Sequence, residues 1–282
     1  MGFQQCQSFE ASQELTDSTY NKIRQVVYDK SGIALSENKQ ALVRARVAKR
    51  MRKLNIVTYD EYINYVLGET TGVELEYMLD AISTNTTHFY REDSHFGMMR
   101  TIIRDWIKDE GMSKFRIWCA ASSTGEEPYT LAIETLESIG QNSVNAKILA
   151  TDIAPSVLKT AMAGTYTEEK VVSIPENLRN HYFQKTKSGD EFIYTAKPAL
   201  KNLLLFRQMN LSVMPYPIKT HVDMIFCRNV MIYFDRSLRA RLVNEFRKIL
   251  KPGGYLFVGH AESITAYSQG FKCIKPSVYK RV

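Results

Sequence analysis

The stretch IWCAASSTGEEPYTLA, residues 117–132, joins a short apolar run to small hydroxyl residues, one glycine, two glutamates and a proline opening an amphipathic segment. That is the pattern of a strand, a tight turn and a helix start. Outward from it, strand-like and helical runs alternate. FRIWCAA precedes a helix from Pro128 to Ile139, and AKILATD precedes one from Pro155 to Met162. VDMIFCRNVMIYF precedes a helix whose apolar face is Leu238, Leu242, Phe246, Ile249 and Leu250. KPGG closes that helix, and YLFVGH reads as a further strand. Such alternation predicts an α/β domain with a doubly wound, mostly parallel sheet. At 185–209, KTKSGDEFIYTAKPALKNLLLFRQM breaks the rhythm. Its pieces FIYTA and LLLFRQ predict a small antiparallel β-insertion.

Upstream, Leu15 to about Ile82 reads as a chain of helices. Lys39 to Lys53, KQALVRARVAKRMRK, holds seven basic residues and no acid. Val43, Val47, Met51 and Leu54 share one helical stripe, and Arg46, Lys49, Arg50 and Lys53 cluster on a neighbouring face. Those cations are either a solvated face or a docking surface for something acidic. SGIALSENK before them predicts a turn with Ser36 as helix N-cap. The organisation expected is an all-α N-terminal domain over residues 1–82 and an α/β domain over 83–282.

Composition bounds the function. The 282 residues are 44% hydrophobic and 24% charged, ordinary for a soluble globular protein. Glu10, Glu14 and Asp17 interrupt the first twenty residues, so no secretory signal is expected. No apolar run reaches the ~18 residues of a membrane span. Cys6, Cys119, Cys227 and Cys273 lie far apart, which argues against zinc or a disulfide framework and for a cytoplasmic protein. Net charge is +7, which favours an acidic partner.

The first turn narrows the ligand. AASSTGEE lacks the G-x-G-x-x-G dinucleotide fingerprint, and Glu126 and Glu127 sit at the helix start where a pyrophosphate would otherwise dock. Both acids also suit a plain helix N-terminus with Pro128 beside them. Asp152 follows the second strand, 27 residues after Gly125. An acid there either caps the helix at Pro155 or hydrogen-bonds a ribose diol. Together the two signals point to a nucleoside without phosphates, and S-adenosylmethionine fits that description.

STNTTHFYRE (83–92), ASSTGEEPY (121–129), FCRNVMIYF (226–234) and LKPGGYLFVGHAES (250–263) occur in order. Together they make the chain resemble the chemotaxis receptor methyltransferases, the CheR family, across nearly its whole length. The resemblance implies a Rossmann-like class I S-adenosylmethionine-dependent methyltransferase fold with a small β-subdomain, preceded by an all-α domain. It implies methyl transfer from S-adenosylmethionine to glutamate side chains of chemoreceptors, giving methyl esters and S-adenosylhomocysteine. On the matching positions, Asn85, Thr87 and Arg91 would cover the cofactor's amino-acid end. Glu127, preferred over Glu126, and Asp152 would contact the adenosyl portion. Asn210 and Leu211 would lie near the adenine, and Arg228 with Asn229 would floor the methionine side.

A glutamate carboxylate is already anionic at neutral pH, so no general base is needed. His88, His221 and His260 therefore carry no expected proton-transfer role. Arg91 either orients the incoming carboxylate or pairs with the cofactor's own, and Tyr233 either hydrogen-bonds the nucleophile or packs in the core. Receptor methylation regions are helical and glutamate-rich, which gives Arg46, Lys49, Arg50 and Lys53 a docking role. Some family members capture a receptor's C-terminal pentapeptide on the β-subdomain through a glycine-rich loop. Here KTKSGDEFIYT has only Gly189, so independence from that tether is expected. The expected state is a cytoplasmic monomer recruited to receptor arrays, with no metal, no nucleic acid and no membrane insertion. A nucleic-acid methyltransferase is the main alternative, but CRNVMIYF lacks the prolines of the amine-methylating motif. A non-catalytic cofactor-binding scaffold is the third reading.

Overall fold

The computed structural model describes residues 14–282. Cys6 and Glu10 lie outside the described residues. The chain divides into a unit ending at Thr84 and a unit spanning Asn85–Val282.

The first unit is helical: α1 (Asp17–Ser31), α2 (Gln40–Leu54), α3 (Tyr59–Gly68) and α4 (Val73–Ile82). Thr16 caps α1 by accepting the Thr19 N–H, and Gly32 ends it in the left-handed region at φ 74°. Thr58 and Glu61 form a reciprocal capping box on α3. Ser36 precedes a short 3-10 turn and makes no side-chain cap. Val43, Val47 and Met51 of α2 are buried, together with Ile23, Val27, Tyr62, Ile63 and Met78. Burial of such side chains contributes about 1.5–3 kcal/mol each.

The second unit opens with α5 (Ser94–Asp109) and then β1 (Lys114–Cys119), α6 (Glu126–Ile139), β2 (Asn145–Asp152) and α7 (Pro155–Ala163). An excursion follows through β3 (Thr165–Thr167), α8 (Glu168–Val171), α9 (Glu176–Tyr182), β4 (Phe183–Ser188), β5 (Glu191–Ala196) and α10 (Pro198–Lys201). The chain then runs through β6 (Leu204–Gln208), β7 (Val222–Cys227), α11 (Arg236–Ile249), β8 (Leu250–Val258), β9 (Phe271–Lys275) and β10 (Val278–Arg281).

Seven strands form the main sheet in the order β6-β2-β1-β7-β8-β10-β9, and three form a second sheet in the order β3-β5-β4. From β6 to β8 all pairings are parallel, whereas β10 is antiparallel to both β8 and β9. The central strands are mostly buried, β1 over its last three residues and β7 throughout, as a sheet covered on both faces requires. Every residue of β7 is buried. Trp118 is fully buried and donates its indole N–H to Thr151 Oγ1 at 2.9 Å, while Phe226 and Phe257 stack at 4.3 Å.

Two local expectations change. LLLFRQ is not part of the antiparallel insertion: β6 pairs in parallel with β2, Leu204 opposite Ile148 through Gln208 opposite Asp152. The insertion instead begins at β3, with Thr165–Thr167 pairing to β5. A parallel partner more than fifty residues upstream leaves no local mark, whereas the neighbouring FIYTA run invites a hairpin reading. KPGG also lies within β8 rather than ahead of it.

Candidate active site

The strand order turns back at β1: the chain fills β2 and β6 on one side, then returns to β7 and β8 on the other. In such sheets ligands bind beyond the carboxyl ends of the strands flanking that reversal. Four segments converge there: the turn after β1, the end of β2, the loop after β7 and the loop after β8.

The turn after β1 is held from β2. Asp152 is buried and accepts the Ser123 N–H at 2.8 Å and the Ala154 N–H at 3.1 Å. Asp152 thus shapes the turn ahead of α7 without capping it: the N-cap is Ala154, and no side chain caps the helix. Ser123 takes φ 46° and donates its hydroxyl to the Asn85 carbonyl at 2.9 Å, drawing the 85–92 segment onto the turn. Ser122 Oγ is buried without a hydrogen-bond partner. Gly125, at φ 100°, starts α6.

The two acids of α6 diverge. Glu126 accepts from Thr124 Oγ1 at 2.6 Å and pairs with Lys170 at 3.1 Å. Glu127 faces the other way, accepting from Arg228 Nη1 at 2.9 Å and from the Cys119 thiol at 3.3 Å. Burial pushes the Glu127 carboxyl up, against the lowering effect of Arg228. Burial likewise raises the Cys119 thiol well above its usual range, so it stays protonated and able to donate.

After β7, Arg228 is buried between two carboxylates, with Nη1 on Glu127 and Nη2 at 3.0 Å from Glu92. Nη2 also donates to the Arg91 carbonyl. Asn229 donates its side-chain amide to Glu92 Oε1 at 3.1 Å, and the His260 N–H reaches the same oxygen at 3.2 Å. Burial works to raise Glu92, but Asn229, Arg228 and the His260 N–H overcome it and hold the carboxyl at about 2. Glu262, in the loop after β8, accepts backbone N–H groups from Asn229, Ile232 and Gly259 at 2.8, 3.2 and 2.6 Å.

Non-glycine residues with left-handed backbone gather in these segments: Tyr90, Glu92, Ser123 and Asn229. Such conformations persist only where surrounding contacts enforce them, and they concentrate at functional sites. Glu92 and Glu262 hold the centre of the network and carry no role in the sequence-based expectation. Both lie within quoted motifs, but acceptors of distant N–H groups leave no local signature.

The remaining expected positions are more peripheral. Arg91 is half-buried and donates from Nη1 to the Thr86 carbonyl at 2.8 Å, and Thr87 is half-buried nearby in sequence. Asn210 Oδ1 accepts the Ser212 N–H and hydroxyl at 2.9 and 2.7 Å, forming the turn after β6. Leu211 is buried. Tyr233 lies half-buried in the 3-10 turn Met231–Tyr233, outside the fully packed core.

The basic face of α2 is partly occupied within its own unit. Arg50 forms a bidentate pair with the buried Glu74, Nε at 3.0 Å and Nη2 at 2.6 Å, and Tyr62 donates to the same carboxylate at 2.8 Å. Its guanidinium also lies 4.2 Å from the centre of the Tyr77 ring. Arg46 donates to the Ile82 and Ser83 carbonyls at 2.6 and 2.7 Å. Lys49 and Lys53 remain exposed. The expectation that all four cations are left to an external partner is corrected: two of them brace α4.

S-adenosylmethionine fits the donor set at the sheet's carboxyl edge. The turn is acidic rather than phosphate-binding, an acid stands at the end of β2, and the Ser122 hydroxyl is buried there unpartnered. Among the described residues, no helix is long and apolar enough to cross a membrane.

Comparison with known proteins agrees in extent. Residues 85–280 match the CheR methyltransferase SAM binding domain, and residues 18–83 match the CheR methyltransferase all-alpha domain. The chain is 37% identical over 279 residues to the chemotaxis protein methyltransferase of Borreliella burgdorferi, covering 97% of each chain. It is 31% identical to the Escherichia coli chemotaxis protein methyltransferase, covering 94% of this chain and 91% of that one. It is 34% identical to chemotaxis protein methyltransferase 2 of Pseudomonas aeruginosa, covering 94% and 93%.

Proposed function

Because this chain belongs to the CheR methyltransferase family, we propose that it moves a methyl group from S-adenosylmethionine to glutamate carboxylates of chemoreceptors. The observation that carries this reading is the ordered match of both domains along nearly the whole chain. The protein is an S-adenosylmethionine-dependent protein methyltransferase of chemotaxis.

When bound, the cofactor supplies an electrophilic methyl on a sulfonium. The chain's own task is positional, because the acceptor carboxylate is ionised at neutral pH and no proton has to move first. Asp152 and Glu127 would contact the adenosyl portion, Asp152 through the ribose hydroxyls, with Asn210 and Leu211 on the adenine side. Arg228 and Asn229 form the floor, stiffened by Glu92 and Glu262. Asn85, Thr87 and Arg91 cover the site from the 85–92 segment. Arg91 binds a carboxylate there, and Tyr233 offers a hydroxyl to the acceptor oxygen.

The receptor partner is a glutamate-rich helical surface. The exposed Lys49 and Lys53 steer it, while Arg46 and Arg50 shape the helix that presents them. The protein works without a C-terminal receptor tether. Supporting this, the β4–β5 connection is only Gly189 and Asp190. We further propose that it acts as a cytoplasmic monomer recruited to receptor arrays.

The test is incubation with radiolabelled S-adenosylmethionine and membranes bearing candidate receptors, followed by mild alkali. Volatile, receptor-dependent label that disappears in Asp152→Ala supports the proposal, because methyl esters release methanol in base. Base-stable label on nucleic acid overturns it. Titration with the tail peptide of a tethering receptor checks tether independence, and saturable binding sinks that part alone.

A further inference from the structure

Glu92, His95 and His260 place one ligand atom each within 4.8 Å of one another, beside the loop after β8. His95 is 2% exposed, and neither of its ring nitrogens has a hydrogen-bond partner. Leaving a buried polar group unpartnered costs about 1–3 kcal/mol, so such an imidazole calls for an explanation. The polar atom nearest its Nδ1 in the cluster is Glu92 Oε2, at 3.7 Å. That gap is too long for a hydrogen bond. It is close to the ~3.4 Å that separates two ligands of one tetrahedral ion with bonds of about 2.0–2.2 Å. The His260 ring meets the His95 ring edge-on at 4.8 Å between centroids. His260 is exposed, and one of its ring nitrogens already lies within 4.8 Å of the other two ligand atoms, so ligation asks it to turn inward.

We propose that Glu92, His95 and His260 form a binding site for a borderline-soft divalent metal ion of the zinc class. Two imidazoles and one carboxylate suit zinc and its first-row neighbours, whereas calcium and magnesium select all-oxygen shells. The exposed side at His260 leaves the fourth position to water. Arg228, 3.0 Å from Glu92, disfavours a nearby cation, but its second carboxylate partner, Glu127 at 2.9 Å, keeps it paired while Glu92 turns to the metal.

The test is calorimetric titration of the untagged, full-length protein with zinc chloride, alongside His260→Ala and His95→Ala. His260→Ala is the safer variant because the side chain is exposed, and its fold is checked by thermal melting. The expected result is one zinc ion per chain in the wild type, released by a chelator, and at least tenfold weaker binding in His260→Ala. Binding of equal strength in His260→Ala places the metal elsewhere and overturns the proposal. Absence of saturable binding in the wild type overturns it as well. Because this readout needs no methyl transfer, its failure leaves the methyltransferase reading untouched.

Discussion

Glu262 Oε2 accepts the backbone N–H of Asn229 at 2.8 Å, which ties the loop after β8 to a left-handed residue in the loop after β7. The same carboxylate takes the N–H groups of Gly259 and Ile232. Three donors on one buried acid make Glu262 a positioning residue for Arg228 and Asn229. Gln replaces one acceptor oxygen with a donor that faces an N–H. Charge-assisted hydrogen bonds contribute about 1.5–3 kcal/mol each. Glu262→Gln is expected to lower kcat/KM by about 10- to 100-fold, and steady-state kinetics with a fixed receptor preparation checks it. Activity within twofold of the wild type would remove Glu262 from the site's support.

Arg228 is buried with Glu92 and Glu127 on either side. Arg228→Met leaves two carboxylates facing each other without the cation, and breaking such a buried pair costs about 3–5 kcal/mol. The expected outcome is a large drop in the melting temperature of the second unit. Adding Glu92→Gln and Glu127→Gln to Arg228→Met restores part of the loss, because no uncompensated charge remains. Equal stability of the single and triple variants contradicts the charge-pair account.

Gly125 starts α6 at φ 100°, and a Cβ there would stand 2.7 Å from the Tyr166 hydroxyl and 2.9 Å from the Ala161 Cβ. Neither the backbone conformation nor the space suits a side chain. Gly125→Ala is expected to destabilise by about 2–4 kcal/mol, combining backbone strain with overpacking. Cofactor affinity falls with it, because Tyr166 donates to the Thr124 carbonyl within the same turn. Denaturant unfolding and a cofactor-binding titration check both effects.

The alternation of strands and helices, the acidic turn and the strand-end Asp152 were all legible because each depends on neighbours within one element. β6 was not, since LLLFRQ finds its partner in β2 across the whole β-insertion. Arg50 looked available for the same reason: helical periodicity reveals the face it occupies but not Glu74, 24 residues on, which fills it. Glu92 and Glu262 share the difficulty in a stronger form. Their partners are backbone and amide N–H groups on other loops, which any sequence supplies, so only the folded geometry distinguishes them from surface acids.

Glu134 offers a pH signature. It is fully buried, accepts from Tyr90 at 2.9 Å and lies 3.0 Å from Arg100 Nε. Burial raises its carboxyl above the usual range, with Tyr90 and Arg100 only partly opposing this. A carboxyl with a raised folded-state pKa binds its proton more readily folded than unfolded. Its contribution is therefore most favourable at low pH and declines as pH rises through the raised value. Glu134→Gln keeps a side chain of the same shape with no charge to bury. The melting temperature of the wild type minus that of Glu134→Gln is expected to grow as pH falls from 7.5 towards 5. The corresponding difference in unfolding free energy changes by about 1.4 kcal/mol per pH unit at most. A difference independent of pH, or one shrinking towards acid, contradicts the burial argument.

The division of labour on α2 separates docking from folding. Lys49 and Lys53 are exposed, whereas Arg50 closes a bidentate pair on Glu74, which is 4% exposed. Reversing charge at Lys49 and Lys53 together leaves the helical unit's buried packing intact, losing within it only the exposed contact of Lys53 with the Tyr77 ring at 5.8 Å. Steering between oppositely charged surfaces is screened by salt, so the wild-type advantage should shrink as ionic strength rises. The double variant Lys49→Glu, Lys53→Glu is expected to methylate receptors about tenfold more slowly at low salt, with cofactor affinity and melting temperature unchanged. Arg50→Glu behaves differently: it places a second carboxylate beside Glu74 and Tyr62, and unfolding of the helical unit accounts for its loss of activity. If Arg50→Glu melts like the wild type while the lysine variant is fully active, docking rests on some other surface.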